Sequence, residues 1–521
     1  MATEERERTR GTGVLQRKPS STVRRGEEFL MRRAHSRGSG AGLACLVVLG
    51  LIAVPLLAGT VYAFGWDWKG GGIGGHDNVG LDTPRPKVLA TKNVEVIGWN
   101  DMQGRGTLQV TAKGNWVYAG HHNGHAYNPL TGVDEWNGTT IFDVSNPAKP
   151  KITAHIPNEE NTNSRSAQVV YNLLAVSGPH AGHKRDYLVR NKETSSWWGL
   201  EIFDITDRYN PEFVSKLNIG YRNMVMKFFH KGWWSEKSLL YYAACREVGN
   251  GAYLEIFDLK DPYNPKAIAE FMLPGQDVAG DTRTWHHPIV DEENNRVYGA
   301  YLEGGDVIAA DIAKILAHDT DHALLWHIDA DPPYRGTHTV APIFYDDVPN
   351  FGKDALPRAY VLVSDEGTDN KCSNPIRAKS YVFDITDAEE TGVPFPVETW
   401  QVPDTFGGVD YCAKGARFGP HQFAETIDTK NNRFEDKIAY YAYFNAGLRV
   451  VDISNPYILK EVGYLVPDAS KLSFPIATGQ PVVAVANDVD VDYRGLVYMS
   501  DRVGGGLWVL DYTPRYSIKR K

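Results

Sequence analysis

The sequence predicts an all-β protein, a seven-bladed β-propeller behind a single N-terminal membrane span, with eight blades as the alternative count. Three observations predict it. First, an apolar phrase ending in aspartate and a turn recurs along the body: TTIFDVSNPAKP, LEIFDITDRYNP, LEIFDLKDPYNP, VIAADIA, SYVFDITD, LRVVDISNP and LWVLDYTP. Second, its aspartates (Asp143, Asp204, Asp258, Asp311, Asp384, Asp452, Asp511) fall 53–73 residues apart, a period that signals repeated supersecondary units. Third, each unit reads as four short β-patterned runs separated by turn residues, the makeup of a propeller blade. Fifty glycines and 29 prolines supply those turns.

In chain order, residues 1–40 hold ten Lys/Arg and five acids and read as a basic, solvated tail within reach of anionic lipid. Residues 41–64 carry no charge over 24 positions, enough for a helix to cross ~30 Å of hydrocarbon. A buried core helix and a cleaved signal peptide are the alternatives; the apolar run exceeds the usual signal length, which favours an uncleaved anchor. The arginine-rich flank puts the N-terminus in the cytoplasm and everything after Phe64 on the extracytoplasmic side, periplasmic or extracellular. Residues 65–84 form a Gly-rich linker with Trp66 and Trp68 at the membrane interface. The run 85–100 supplies the strand that the last unit lacks and so closes the ring, removing open edges. The propeller occupies 85–514, and 515–521 is a basic tail. Beyond residue 40 the formal charge is −14, which argues against nucleic acid as a partner. Cys45 lies in the span and Cys245 in an apolar run. Cys372 and Cys412 fall in loops outside the cytoplasm, where a disulfide between them would persist.

Within each unit the phrase aspartate is a turn-former, because Asp and Asn accept local backbone hydrogen bonds. The opening strands, such as TLQVT, AQVVY, MVMKFF, HHPIV and HTVAPIF, should line the channel. They start at the face that also carries the loops between second and third strands. That mouth should therefore gather His286, His287, His338 and His421, with Asn487 and Asp488. The loops add His121, His122, His125, His180 and His183, then Glu303, Asp365, Glu366 and Asp501. Neutral imidazole is the commonest transition-metal ligand. His286 or His287, His338 and His421, from adjacent blades, could hold one ion, copper first and zinc next, with a position left open. Asp365, Glu366 and Asp488 are candidates to orient those rings. The competing expectation is that the histidines only hydrogen-bond between blades. Arg105, Arg165, Arg222, Arg283, Arg335 and Arg417 precede opening strands and could attract an anion, or each could pair with a carboxylate nearby. Trp197-Trp198, Phe228-Phe229 and Trp233-Trp234 could anchor a protein partner or pack between blades. No nucleophile elbow, P-loop, HExxH or dinucleotide fingerprint is present.

The phrase resembles the LVIVD-repeat β-propeller family of bacteria and archaea over roughly 85–514. More distantly, WHHP (285–288), THT (337–339) and GPHQ (419–422) are similar to pieces of selenium-binding-protein-like propellers, which include copper-dependent methanethiol oxidases. The first resemblance implies a fold; the second implies histidine-bound copper, although the chain lacks a close cysteine pair. Two functional expectations follow. One is a membrane-anchored extracytoplasmic binding or scaffold module, an accessory subunit of a membrane assembly. The other is a histidine-ligated, copper-type oxidoreductase acting on a small molecule such as a thiol.

Overall fold

The computed structural model describes residues 83–513 except 194–197, 224–227, 247–250, 279, 329–335, 349–356, 374–375 and 426–436. The basic tail, the span 41–64, nearly all of the linker, Arg335, Trp197 and the tail 515–521 therefore lie outside the described residues, as do the side chains of Trp198 and Phe228. Among the described residues no helix is long and apolar enough to cross a membrane.

Seven antiparallel sheets form the propeller. Their innermost strands are Thr107–Lys113, Ala167–Leu174, Phe228–Trp234, Ile289–Asp291, Thr337–Tyr345, Gln422–Phe423 and Ala486–Val491. The recurrent phrase is the third strand of each blade, from Thr139–Asp143 in blade one to Leu507–Tyr512 in blade seven. Its residues are buried on both faces, as Ile141-Phe142 and Val450-Val451 illustrate, because each blade packs against two others. At its end the aspartate turns the chain. Asp143, Asp204, Asp258 and Asp452 each accept from the backbone N–H two residues on, at 2.8–2.9 Å.

Residues 85–100, expected as one closing strand, form two. Asn93 takes a left-handed conformation (φ 55°), which a short polar side chain tolerates. Val88–Lys92 before it pairs with Lys460–Pro467 as a fifth strand on blade six. Val94–Asn100 after it pairs with Leu507–Tyr512 as the fourth strand of blade seven, Val94 opposite Tyr512. The closing strand also packs closely on blade one, since a Cβ on Gly98 would sit 2.1 Å from the Pro147 carbonyl oxygen.

Blade two departs from the expected division. LLAVSG is not its second strand; that strand is Lys184–Glu193, and residues 175–183 join it to the first. His180 and His183 therefore lie at the face opposite the mouth. In blade one the HHNGH loop extends into a hairpin, His125–Asn128 with Val133–Trp136. Cys372 and Cys412 are disulfide-bonded, with Cα atoms 5.6 Å apart.

Candidate metal centre

Neighbouring side chains on a strand point to opposite faces, so an innermost strand should offer the channel every second residue. Here the pairing slips at residues 107–109, 229–232, 337–339 and 486–488. A bulge re-aims side chains, and these bulges let consecutive residues face the axis. His286-His287 lie just ahead of a three-residue strand, and His421-Gln422 sit at the start of a two-residue one. Five blades thus contribute dipeptides: His230-Lys231, His286-His287, His338-Thr339, His421-Gln422 and Asn487-Asp488. Their first members form a layer at the mouth and their second members a layer beneath it.

In the mouth layer, ring centroids are 4.5 Å apart for His230–His286, 3.6 Å for His286–His338 and 4.4 Å for His338–His421. Donor atoms of His286, His338 and Glu366 all lie within 4.8 Å of one another, and His421 Nε2 is 4.0 Å from Glu366 Oε1. All four side chains are buried. His421 Nδ1 bonds the Asn487 carbonyl. A carbonyl only accepts, so Nδ1 carries the proton and the Nε2 lone pair is left toward Glu366. His338 Nδ1 meets the Thr339 hydroxyl at 2.8 Å. His338 Nε2 and His286 Nδ1 have no hydrogen-bond partner among the described residues, and buried nitrogens left this way each cost about 1–3 kcal/mol.

Burial drives all three imidazoles toward the neutral, metal-binding form: His286 and His338 fall well below the usual range, and His421 falls to about 3. Burial alone would raise the Glu366 carboxyl, but Arg417, then His421 and Arg502, hold it below its ordinary value. Arg417 Nη1 bonds Glu366 Oε1 at 2.5 Å. Glu366, expected to orient the rings, places an oxygen among the donor atoms of His286 and His338.

The layer beneath corrects the expectation for His287. Its Nδ1 lies 2.9 Å from Glu425 Oε1, away from the grouped donors. Lys231 Nζ bonds the same carboxylate at 2.9 and 3.0 Å and Gln422 Oε1 at 2.5 Å, while Gln422 donates to Asp488. Burial would raise Glu425, yet His287 and Lys231 pull it below the carboxylate range. Burial outweighs Glu425 in lowering His287. Asp488 accepts from Val110 N–H at 2.7 Å, joining blades seven and one rather than orienting an imidazole. The layer floors the mouth, and below it a cavity of about 50 Å³ is lined by Gln109, His287, Glu425 and Asp488.

Other expected residues serve the fold. His121 bonds Thr107 and Thr140 at 2.9 and 2.7 Å, and burial takes it to about 3. His125 is exposed against Trp136, and His180 lies 4.0 Å from Glu212. Asp365 accepts from Lys379 N–H at 3.0 Å and the Tyr381 hydroxyl at 3.2 Å. Asp501 accepts from three loop N–H groups. Arg105 is buried against the Ala126 and Glu135 carbonyls and Asn137. Arg222 pairs with Glu270 and Arg283 with Asp281. Trp233 and Trp234 are buried and pack within the blades. His122, Arg165 and Arg417 do lie at the mouth, joined by Arg502, which the sequence did not suggest. Arg502 Nη1 bonds Asn487 Oδ1 at 2.9 Å, and burial followed by Arg417 lowers it to about 9. His230 was missed because its strand was placed several residues early; the His-Lys dipeptide, matching His-His and His-Thr, was the available signal.

The LVIVD repeat matches residues 133–155 and 435–465. No curated protein matches the sequence. Among solved structures, the β-propeller domain of Myceliophteria thermophila Cps50 (Swd1) is 10% identical with a TM-score of 0.42, covering 82% of this chain and 99% of its own. The periplasmic gluconolactonase PpgL of Pseudomonas aeruginosa is 14% identical with a TM-score of 0.41, covering 76% and 99%. The WD40 propeller domain of Doa1 is 7% identical with a TM-score of 0.44, covering 80% and 97%. The fold itself rests on the seven sheets and their closure. This chain carries LVIVD repeats on a seven-bladed β-propeller.

Proposed function

We propose that the protein is a metal-binding propeller module, tethered to the cytoplasmic membrane by residues 41–64 and displayed on the extracytoplasmic side as an accessory subunit of a membrane assembly. One transition-metal ion would be held at the channel mouth by His286, His338, His421 and Glu366. The carrying observation is that His286, His338 and Glu366 bring donor atoms within 4.8 Å of one another, two of the imidazoles presenting buried nitrogens without hydrogen-bond partners among the described residues. Imidazoles joined by one carboxylate suit copper or zinc. A bound ion there would polarise any ligand reaching its open position, and the neighbouring residues hold the donors: Asn487 fixes His421, Thr339 bonds His338 and Arg417 positions Glu366.

Elemental analysis of protein purified without chelator tests this. About one copper or zinc per chain is expected, lost in His338→Ala/Glu366→Gln and kept in His287→Ala, whose side chain faces Glu425. A folded, metal-free wild type that takes up neither ion would overturn it.

The oxidoreductase reading shares this centre. It would gain support from turnover of a small reductant by copper-loaded protein, abolished by the same double variant.

A further inference from the structure

The mouth carries more positive charge than holding an ion requires. Arg165 and Arg417 approach from the lead-ins of blades two and six, and Arg502 from the loop after Val497–Asp501 of blade seven. All three lie within electrostatic reach of His122, together with His230. Arg417 and Arg502 also act on Glu366, which places the guanidinium groups beside the metal donors. Two of them are positioned by contacts already described, Arg417 on Glu366 and Arg502 on Asn487; Arg417 also stacks over Phe444 at 5.3 Å. Arg165 differs. Its Nη1 bonds Glu193 Oε2 at 3.0 Å, but its Nε is buried with no hydrogen-bond partner among the described residues. The same holds for His122 Nε2. Two buried nitrogens without hydrogen-bond partners among the described residues thus sit where three guanidinium charges meet the carboxylates of Glu193 and Glu366.

We infer that the exogenous ligand of this centre is an oxyanion, a carboxylate or phosphate group, bound between the metal ion and the Arg165–His122 edge of the mouth. The inference rests on the metal reading above and adds the ligand's class to it. Guanidinium is the side chain best matched to such oxygens, and a dry site strengthens the match. A neutral ligand would gain no charge pairing from Arg165.

The test uses full-length protein loaded with Cu²⁺, its metal content measured first. Acetate, inorganic phosphate and neutral imidazole are titrated separately while the copper absorption and paramagnetic resonance spectra are followed. Acetate, phosphate or both should shift the spectra at lower concentration than imidazole. Arg165→Gln should weaken anion binding about tenfold or more, leaving metal content and imidazole affinity unchanged. Arg165→Lys, which keeps the charge and loses the Nε donor, should recover part of the loss and guards against a folding artefact. Comparing the acetate and phosphate arms tells which oxyanion fits. A loaded wild type indifferent to both anions, or anion affinity unaltered in Arg165→Gln, overturns this inference alone. A wild type that takes up no metal overturns the parent reading as well, and the metal measurement identifies that case.

Discussion

A buried carboxyl and a buried imidazole push stability in opposite directions as pH changes. Burial raises Asp365 to about 7. Between pH ~4 and ~7 the folded state therefore binds a proton that the unfolded chain has released. The stabilisation is fully present below the unfolded value and is lost as pH rises through 7, at up to ~1.4 kcal/mol per pH unit. Asp365→Asn keeps an acceptor for Lys379 and Tyr381 and removes the proton. Its melting temperature relative to wild type should rise between pH 5 and pH 8; parallel melting curves would contradict the assignment. His121 and His421, both near 3, act oppositely, weakening the fold as acid charges them in the unfolded state. At this scale the sequence was informative where chemistry is rare. His286, His338 and His421 stood out because histidine is scarce and blade geometry gathers opening strands. Glu425 gave no such signal, because an isolated polar residue looks the same whether it floors a channel or meets solvent.

The third strand of each blade was legible from its phrase, since burial on both faces demands apolar residues throughout and the turn after it needs Asp and Asn. The innermost strands were harder to read. Their bulges break the two-residue period, so adjacent residues face the axis and alternation no longer marks the inward side. The closing segment lies on the expected partner but divides in two, because the single Lys92-Asn93 step between β-forming runs is where Asn93 turns left-handed. Starting from a chain that begins at residue 83, deletion through Lys92 should remove only the fifth strand of blade six and lower the melting temperature by a few degrees. Deletion through Asn100 strips blade seven of its fourth strand and exposes Leu507–Tyr512 as an open edge. Calorimetry should then show loss of one cooperative transition, and size exclusion should show association. Equal behaviour of the two truncations would refute the distinct roles of the paired strands.

For the whole molecule, composition and repeat spacing were enough to give the ring, because a period of this length with four short strands per repeat has few architectures open to it. The proposed orientation, with the propeller outside, has a direct check: protease added to intact spheroplasts should digest the chain beyond about residue 65 and spare the N-terminal tail. A protected propeller would reverse the assignment. The seam between the two chain ends carries a further consequence, one of timing. Trp99 donates to the Gly505 carbonyl across 406 residues of sequence, and Val94 waits for Tyr512. At ~5–20 residues per second, the earliest strands of the ring are synthesised tens of seconds before their partners exist. Blades one to six can assemble in order during that interval, but the ring stays open until its last strand arrives. The strand Leu507–Tyr512 therefore checks the blades made before it, and a product truncated ahead of it is left with an unpaired edge for chaperones and proteases to find.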